Sequence, residues 1–252
     1  MKYCRDFLIT ENIALENNFF RLTLQSDVEL PRINGGQFVQ VLTKENDGKS
    51  LRLPISINDV CYKSNSIYLL IQIVGGGTLA LSRMNIGEKV NIIFPLGNGF
   101  EVKDKKILLI GGGVGIAPFL YLAKQYNEVG VKPDILIGAR TDRHIPMLDS
   151  FARFGNLQIT TEDGSLGVKG LVTEHPVLGE QFDRIYCCGP TPMMRSVAAL
   201  AAKLGTPCYL SLEEKMACGF GACLCCVVKT TDEHNKCTCI EGPVFNAIEL
   251  YK

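Results

Sequence analysis

The chain carries no net charge, its 26 Lys and Arg balancing 26 Asp and Glu over 252 residues. That balance gives no steering toward nucleic acid or an anionic membrane surface, so neither is expected as a partner. The first residues, MKYCRDFLITEN, lack the apolar core of a signal peptide, and no apolar run approaches the roughly 18 residues that a spanning helix needs. A cytoplasmic protein is expected. Internal repeats are lacking, and only Thr230 to Lys236 (TTDEHNK) reads as a free polar loop. An odd number of cysteines, eleven, disfavours a complete disulfide framework.

The chain is 46% hydrophobic and long enough for two ordinary domains with a sizeable core. Residues 1–101 alternate in short runs, such as Phe19 to Leu24 and Ile67 to Val74, separated by turns at Asn34-Gly35-Gly36, Asp47-Gly48 and Asn85-Ile86-Gly87. This spacing predicts an antiparallel β-barrel. In residues 102–212 the rhythm changes to continuous apolar runs at Ile107 to Ile110, Asp134 to Gly138, Leu157 to Thr161, Arg184 to Cys188 and Pro207 to Leu212. A helical stretch from Ala117 to about Glu128 and others between the runs predict a doubly wound parallel sheet that binds a nucleotide. Residues 213–252 turn to glycine and cysteine. So short a piece buries little of its own, and a metal centre is expected to hold it.

Six cysteines lie from Cys218 to Cys239, and in a reducing compartment such a group reads as a metal site. Cys218, Cys223 and Cys226, with a later cysteine, have the C-x4-C-x2-C…C spacing of a plant-type [2Fe-2S] site. Gly219 and Gly221 let backbone N–H groups approach the sulfides. Cys225 breaks both spacings, while Cys237 and Cys239 compete for the fourth position. Zinc also accepts four thiolates, but its sites usually offer two separated C-x2-C pairs. Cys4, Cys61 and Cys208 read as small buried hydrophobes, as does Cys187 beside Cys188.

Two glycine turns follow the buried runs. Gly111, Gly112, Gly113 and Gly115, leading to Pro118, turn a strand into a helix and can set N–H groups against a pyrophosphate, although the pattern is not G-x-G-x-x-G. Cys188, Gly189, Pro190 and Met193 end a later strand, at the face where open α/β sheets bind ligands. In the barrel half, Gly75 to Leu79 is a further phosphate cradle, with Arg52 to Ser56 adding a cation and a hydroxyl. Each of these turns is weak evidence alone.

Together these residues resemble the electron-transfer subunit of NAD-dependent dihydroorotate dehydrogenase, within the ferredoxin reductase superfamily. The marks are LPISI (53–57), GGGT (75–78), PLGNGF (95–100), GGGVGIAP (111–118), EDGSLGVKG (162–170), CGPTPMM (188–194), MACGFGAC (216–223) and CIEGPVF (239–245). The resemblance spans nearly the whole chain and selects Cys239 over Cys237 as the closing ligand. It implies FAD on Leu53, Pro54, Ile55, Ser56, Leu70, Ile71, Gln72, Gly77 and Thr78, and NAD on the two glycine turns after the buried runs. It also implies an FMN-containing catalytic partner subunit in a two-plus-two heterotetramer, and no dihydroorotate-oxidising residue on this chain. The family usually has Arg immediately before the Pro of its Pro-Ile-Ser segment. Here that residue is Leu53, and Arg52, one position earlier on a strand, faces the other way and is left without a role.

Electrons would then pass from the partner's FMN through [2Fe-2S] and FAD to NAD in pyrimidine biosynthesis. A flavin must stand between a one-electron cluster and a hydride acceptor. The dinucleotide's second phosphate is left open by the residues, since Arg140 suits a 2′-phosphate and Glu162 or Asp163 suits ribose hydroxyls. Resemblance points to NAD. Two alternatives are a subunit of a general NAD(P)H:ferredoxin or sulfide-linked reductase, and a zinc-stapled docking module with empty glycine loops.

Overall fold

The computed structural model describes residues 1–43 and 51–251. The expected turn at Asp47-Gly48 lies outside them. Six strands, β1 (Tyr3–Ala14), β2 (Phe19–Gln25), β3 (Phe38–Val41), β4 (Leu53–Cys61), β5 (Ser66–Gln72) and β6 (Lys89–Leu96), close into an antiparallel barrel in the order β1-β2-β5-β4-β3-β6. Helix α1 (Gly76–Ser82) follows β5. Side chains alternate along each strand: Phe20, Leu22 and Leu24 of β2 fill the barrel together with Val39, Leu69 and Phe94. Phe19 and Leu70 point outward and join the core of the next domain. One strand therefore serves two cores.

The second unit is a seven-stranded sheet. Its strands are β7 (Ile107–Gly112), β8 (Asp134–Ala139), β9 (Asn156–Thr161), β10 (Val168–Lys169), β11 (Arg184–Cys188), β12 (Cys208–Ser211) and, from the cysteine-rich segment, β15 (Val244–Asn246). The order is β10-β9-β8-β7-β11-β12-β15, all parallel except β15, which runs antiparallel to β12. Helices α2 (Phe119–Glu128) and α3 (Leu148–Phe154) pack with Ile107 and Leu109 on one face. Helix α4 (Thr191–Leu204) packs with Leu108 and Ile110 on the other. Successive residues of β7 thus feed opposite cores, which is why that run reads as continuously apolar. Of the lone cysteines, Cys208 is buried on β12 as expected, whereas Cys4 is exposed on β1 and Cys61 is half-buried at the end of β4.

Residues 213–251 add a hairpin of β13 (Val227–Lys229) and β14 (Asn235–Cys237), then β15 and the short α5 (Ala247–Leu250), capped by the Asn246 side chain. The stretch expected as a free loop is instead the tip and return strand of this hairpin. Thr230 is buried, the Thr231 N–H donates to the Glu249 carbonyl at 2.7 Å, and Lys236 pairs with Glu249 at 2.6 Å. Polar composition hid a segment whose order comes from hydrogen bonds rather than burial.

Barrel and sheet meet through polar contacts just before and along α2. Asn58 donates from Nδ2 to the Ala117 carbonyl at 2.8 Å, the Gly35 N–H donates to Gln125 Oε1 at 2.8 Å, and Lys124 pairs with Asp59. Among the described residues, no helix is long and apolar enough to cross a membrane.

Candidate cofactor cleft and thiol cluster

The C-terminal ends of β7 and β11 lie side by side, with Cys188 opposite Gly111. From β7 the chain leaves to β8 on one side and β11 lies on the other, so the two glycine turns sit where the strand order switches. The turns touch backbone to backbone. A Cβ on Gly115 would stand 2.5 Å from the Cys188 carbonyl oxygen, and one on Gly112 would meet Met193 Sδ at the same distance. After β7 the chain makes a 3-10 turn (Gly113–Ile116) before α2 begins beyond Pro118. Gly111, Gly112 and Pro118 are buried in this packing, whereas Gly115 and Cys188 reach the cleft beside it.

That cleft is open to solvent and lined by all three parts of the chain. Pro54, Ile55, Ser56, Leu70, Ile71, Gln72 and Thr78 line it from the barrel, Val114, Gly115, Ala117 and Cys188 from the sheet, and Met216 and Pro243 from the cysteine-rich segment. Ser211, Leu212, Glu213 and Glu214 line it as well, and sequence reasoning missed them. They continue directly from the C-terminal end of β12, the position where ligands of parallel sheets gather, and that rule was the available signal. The Cys188 thiol is pushed up to about 12 by desolvation, with the Glu213 carboxylate adding to it and the Ser211 hydroxyl opposing. Cys187 faces the buried core and its thiol is held well above the ordinary range, again by burial.

Leu53 and Gly77 stand just outside the cleft lining and touch each other. A Cβ on Gly77 would fall 2.9 Å from Leu53 Cδ1. Arg52 turns away to the β6 side, donating to the Asn91 carbonyl at 3.1 Å and the Gln40 carbonyl at 3.3 Å. It fastens two barrel strands and stands clear of the Gly-Thr turn. The Thr78 hydroxyl receives the N–H groups of Val74 and Gly75 at 3.0 and 3.2 Å, which shapes that turn from within.

The four thiols stand as two pairs. Cys218 and Cys223 hydrogen-bond through their side chains, as do Cys226 and Cys239, and the Cys239 N–H also donates to Cys226 Sγ at 3.4 Å. Among the described residues, no three His, Cys, Asp or Glu side chains close around one point. Desolvation opposes ionisation of Cys218, yet N–H groups of Phe220, Cys223 and Ala222 and the Cys223 thiol bring it down to about 6. Cys239 is pushed up to about 12, first by burial and then by the Cys226 thiol. Left-handed backbone at Gly219 (φ 75°) and Gly221 (φ 90°) aims the N–H groups of this loop at sulfur. Cys225 is exposed; Cys237, half-buried, starts no such pair, its N–H donating to Glu241 Oε2 at 2.7 Å.

The pairs are attached to the barrel. Cys226, Cys239 and Met216 pack with Phe38 and Leu96. Asn98, in the turn after β6, donates from Nδ2 to the carbonyls of Glu241 and Val244 at 2.8 Å each, and its Oδ1 accepts from the Val244 N–H at 3.0 Å. The PLGNGF motif thus clasps the EGPVF segment directly after Cys239. The thiolate donors and the glycine cradle around Cys218 fit an iron-sulfur cluster, and the adjoining cleft, reached by Gly115 and Cys188 of the glycine turns, opens between barrel and sheet.

These features define an iron-sulfur flavoprotein reductase with a nucleotide-binding sheet. Phthalate dioxygenase reductase has the same fold, with a TM-score of 0.66 at 17% identity over 79% of this chain and 64% of that one. A structure of an NADH-dependent reduced ferredoxin-NADP oxidoreductase, studied for flavin-based electron bifurcation, matches with a TM-score of 0.87 and 31% identity, covering 97% of this chain and 89% of that chain. Residues 213–251 match the family model of the iron-sulfur cluster binding domain of dihydroorotate dehydrogenase B. The chain is 34% identical to the electron transfer subunit of dihydroorotate dehydrogenase B (NAD(+)) from Fusobacterium nucleatum, over 97% of both chains. It is 38% identical to that of Clostridium acetobutylicum, over 96% of this chain and 95% of the other. The chain belongs to the family of electron transfer subunits of NAD-dependent dihydroorotate dehydrogenase B.

Proposed function

We propose that this chain passes electrons from the FMN of a dihydroorotate-oxidising partner subunit, through [2Fe-2S] on Cys218, Cys223, Cys226 and Cys239 and through FAD, to NAD. The observation that carries the reading is one cleft lined jointly by the barrel, the sheet turns and the segment that holds the thiols. When bound, the flavin supplies the conversion between single electrons and hydride. The protein's part is placement. Pro54 to Ser56 and Leu70 to Gln72 offer a strand floor for the flavin ring, with Gly77 and Thr78 at its phosphate end. The turns at Gly111 to Gly115 and Cys188 to Met193 receive the dinucleotide, and the desolvated Cys188 thiol stays neutral beside it. Residues 1–101, 102–212 and 213–252 are the corresponding FAD, NAD and cluster units. A cytoplasmic two-plus-two heterotetramer fits this role.

A second reading, a subunit of a ferredoxin:NAD(P) oxidoreductase, is favoured by the likeness to the bifurcating oxidoreductase over almost the whole chain. Anaerobic isolation of the tagged chain from its native cells separates the two. Co-purification of a flavoprotein with dihydroorotate-dependent NAD reduction is the expected result. Iron-sulfur and FAD without that activity, but with ferredoxin-dependent nicotinamide reduction, overturns the dihydroorotate assignment and leaves the reductase chemistry.

A further inference from the structure

Strand β3 sends alternate side chains to opposite faces. Val39 and Val41 enter the barrel core, and Phe38 faces out against Met216, Cys226 and Cys239. Gln40 shares the outward face with Phe38. It is fully buried, and neither its Nε2 nor its Oε1 has a hydrogen-bond partner. Arg52 reaches its backbone carbonyl only. A folded protein rarely leaves a whole carboxamide buried and unpaired. What covers Gln40 is the thiol loop: a Cβ on Gly219, the residue after Cys218, would lie 2.6 Å from Gln40 Cγ and 3.1 Å from its Nε2. The missing side chain at Gly219 thus leaves the space that this barrel side chain occupies beside the loop of the first ligand pair.

We propose that the Gln40 side chain is a positioning residue whose Nε2–H donates a hydrogen bond to cluster sulfur on the Cys218 side, raising the cluster's reduction potential. The proposal rests on the cluster reading above. A carboxamide offers two donor hydrogens, and thiolate and sulfide are acceptors. An added electron makes those sulfurs more negative, so a donor fixed beside them favours the reduced form, the more so in a buried setting. Gly219, packed against it, fixes the side chain under the thiol loop.

The test uses the full chain, or its native complex, loaded anaerobically. Gln40→Met keeps the length and removes the donor, and Gln40→Glu replaces it with an acceptor. Redox titration followed by electron paramagnetic resonance should show the Gln40→Met cluster about tenfold harder to reduce, about 59 mV for one electron, and Gln40→Glu harder still, with the flavin midpoint unchanged. In the unsubstituted protein labelled with 15N on glutamine side chains, the reduced cluster should show a 15N hyperfine coupling that Gln40→Met abolishes. A [2Fe-2S] signal without that coupling overturns the role of Gln40 even where a variant fails to fold, as does an unchanged midpoint in a loaded Gln40→Met. A wild-type chain with no [2Fe-2S] signal overturns the cluster reading first and this proposal with it.

Discussion

The parallel sheet and the cysteine-rich segment reach order by different means. Strands β7 and β8 bury leucine and isoleucine on both faces, β11 and β12 add Ile185, Tyr186 and Leu210, and helices α2, α3 and α4 cover them with aromatic and aliphatic side chains. Residues 213–251 place only Met216, Cys226 and Cys239 in their apolar cluster, and the other two buried members, Phe38 and Leu96, belong to the barrel. The segment's other attachments are mixed: Val244 and Ala247 reach into the two cores of the sheet, β15 pairs with β12, and Asn98 binds it from the barrel. Burial near 25 cal/mol per Å² can sustain the first kind of unit alone. The second, on the reading proposed above, needs bonds to a metal as well as to its neighbours, and those neighbours include the residues that line the cleft.

Breaking the thiol set should have the largest effect. Cys226→Ser removes a buried member of the second pair. Iron content and visible cluster absorbance should fall by at least about tenfold, since metal binding and local folding are one equilibrium here. Limited proteolysis should then open residues 213–251 while the sheet resists. Retained wild-type iron in this variant would sink the four-thiol assignment. Leu108→Ala probes the other half. Leu108 is fully buried between β7 and α4, so its truncation should destabilise the chain by about 2–5 kcal/mol. In denaturant, cluster colour and helical signal should be lost together. Early bleaching of the colour alone would show that the sheet core reaches into the segment more directly than its contacts suggest.

Much of this division was legible in the sequence, because it rests on patterns with a physical period. Continuous apolar runs marked β7, β8 and β11, and spacing marked Cys218, Cys223 and Cys226 as candidate ligands, while the choice of Cys239 over Cys237 rested on the resemblance. Edge strand β15 was not legible. Three residues, Val244 to Asn246, carry no period, and their pairing with β12 depends on where the cluster segment is tied. The β13–β14 hairpin was hidden for a related reason, its tip being polar and held by backbone groups. Gln40 was obscure in another way: a polar residue alternating with valines reads as facing solvent, and only the loop folded over it makes it buried. Leu53 was legible as a departure, but the turn of Arg52 toward Asn91 needed the barrel register.

The smallest effect is the most informative about how the two regions are joined. Asn98 makes three side-chain hydrogen bonds to the segment just after Cys239, and its own N–H donates to the Gly242 carbonyl at 2.6 Å. Asn98→Ala keeps the backbone bond and deletes the other three, leaving two carbonyls and one N–H to find water or go unpaired. A penalty of about 1–3 kcal/mol follows. Because Gly97 already lies against Pro243, a Cβ there falling 2.5 Å from its Cδ, the turn and the segment remain in contact and the loss stays local. The expected outcome is faster cluster release to a chelator, by about 5- to 150-fold for that energy, with global unfolding little changed. Equal release rates would mean that the apolar patch around Phe38 holds the segment by itself. A parallel fall in global stability would mean that barrel and segment form a single cooperative unit, and the contrast with the sheet would have to be redrawn between the barrel and segment together and the sheet alone.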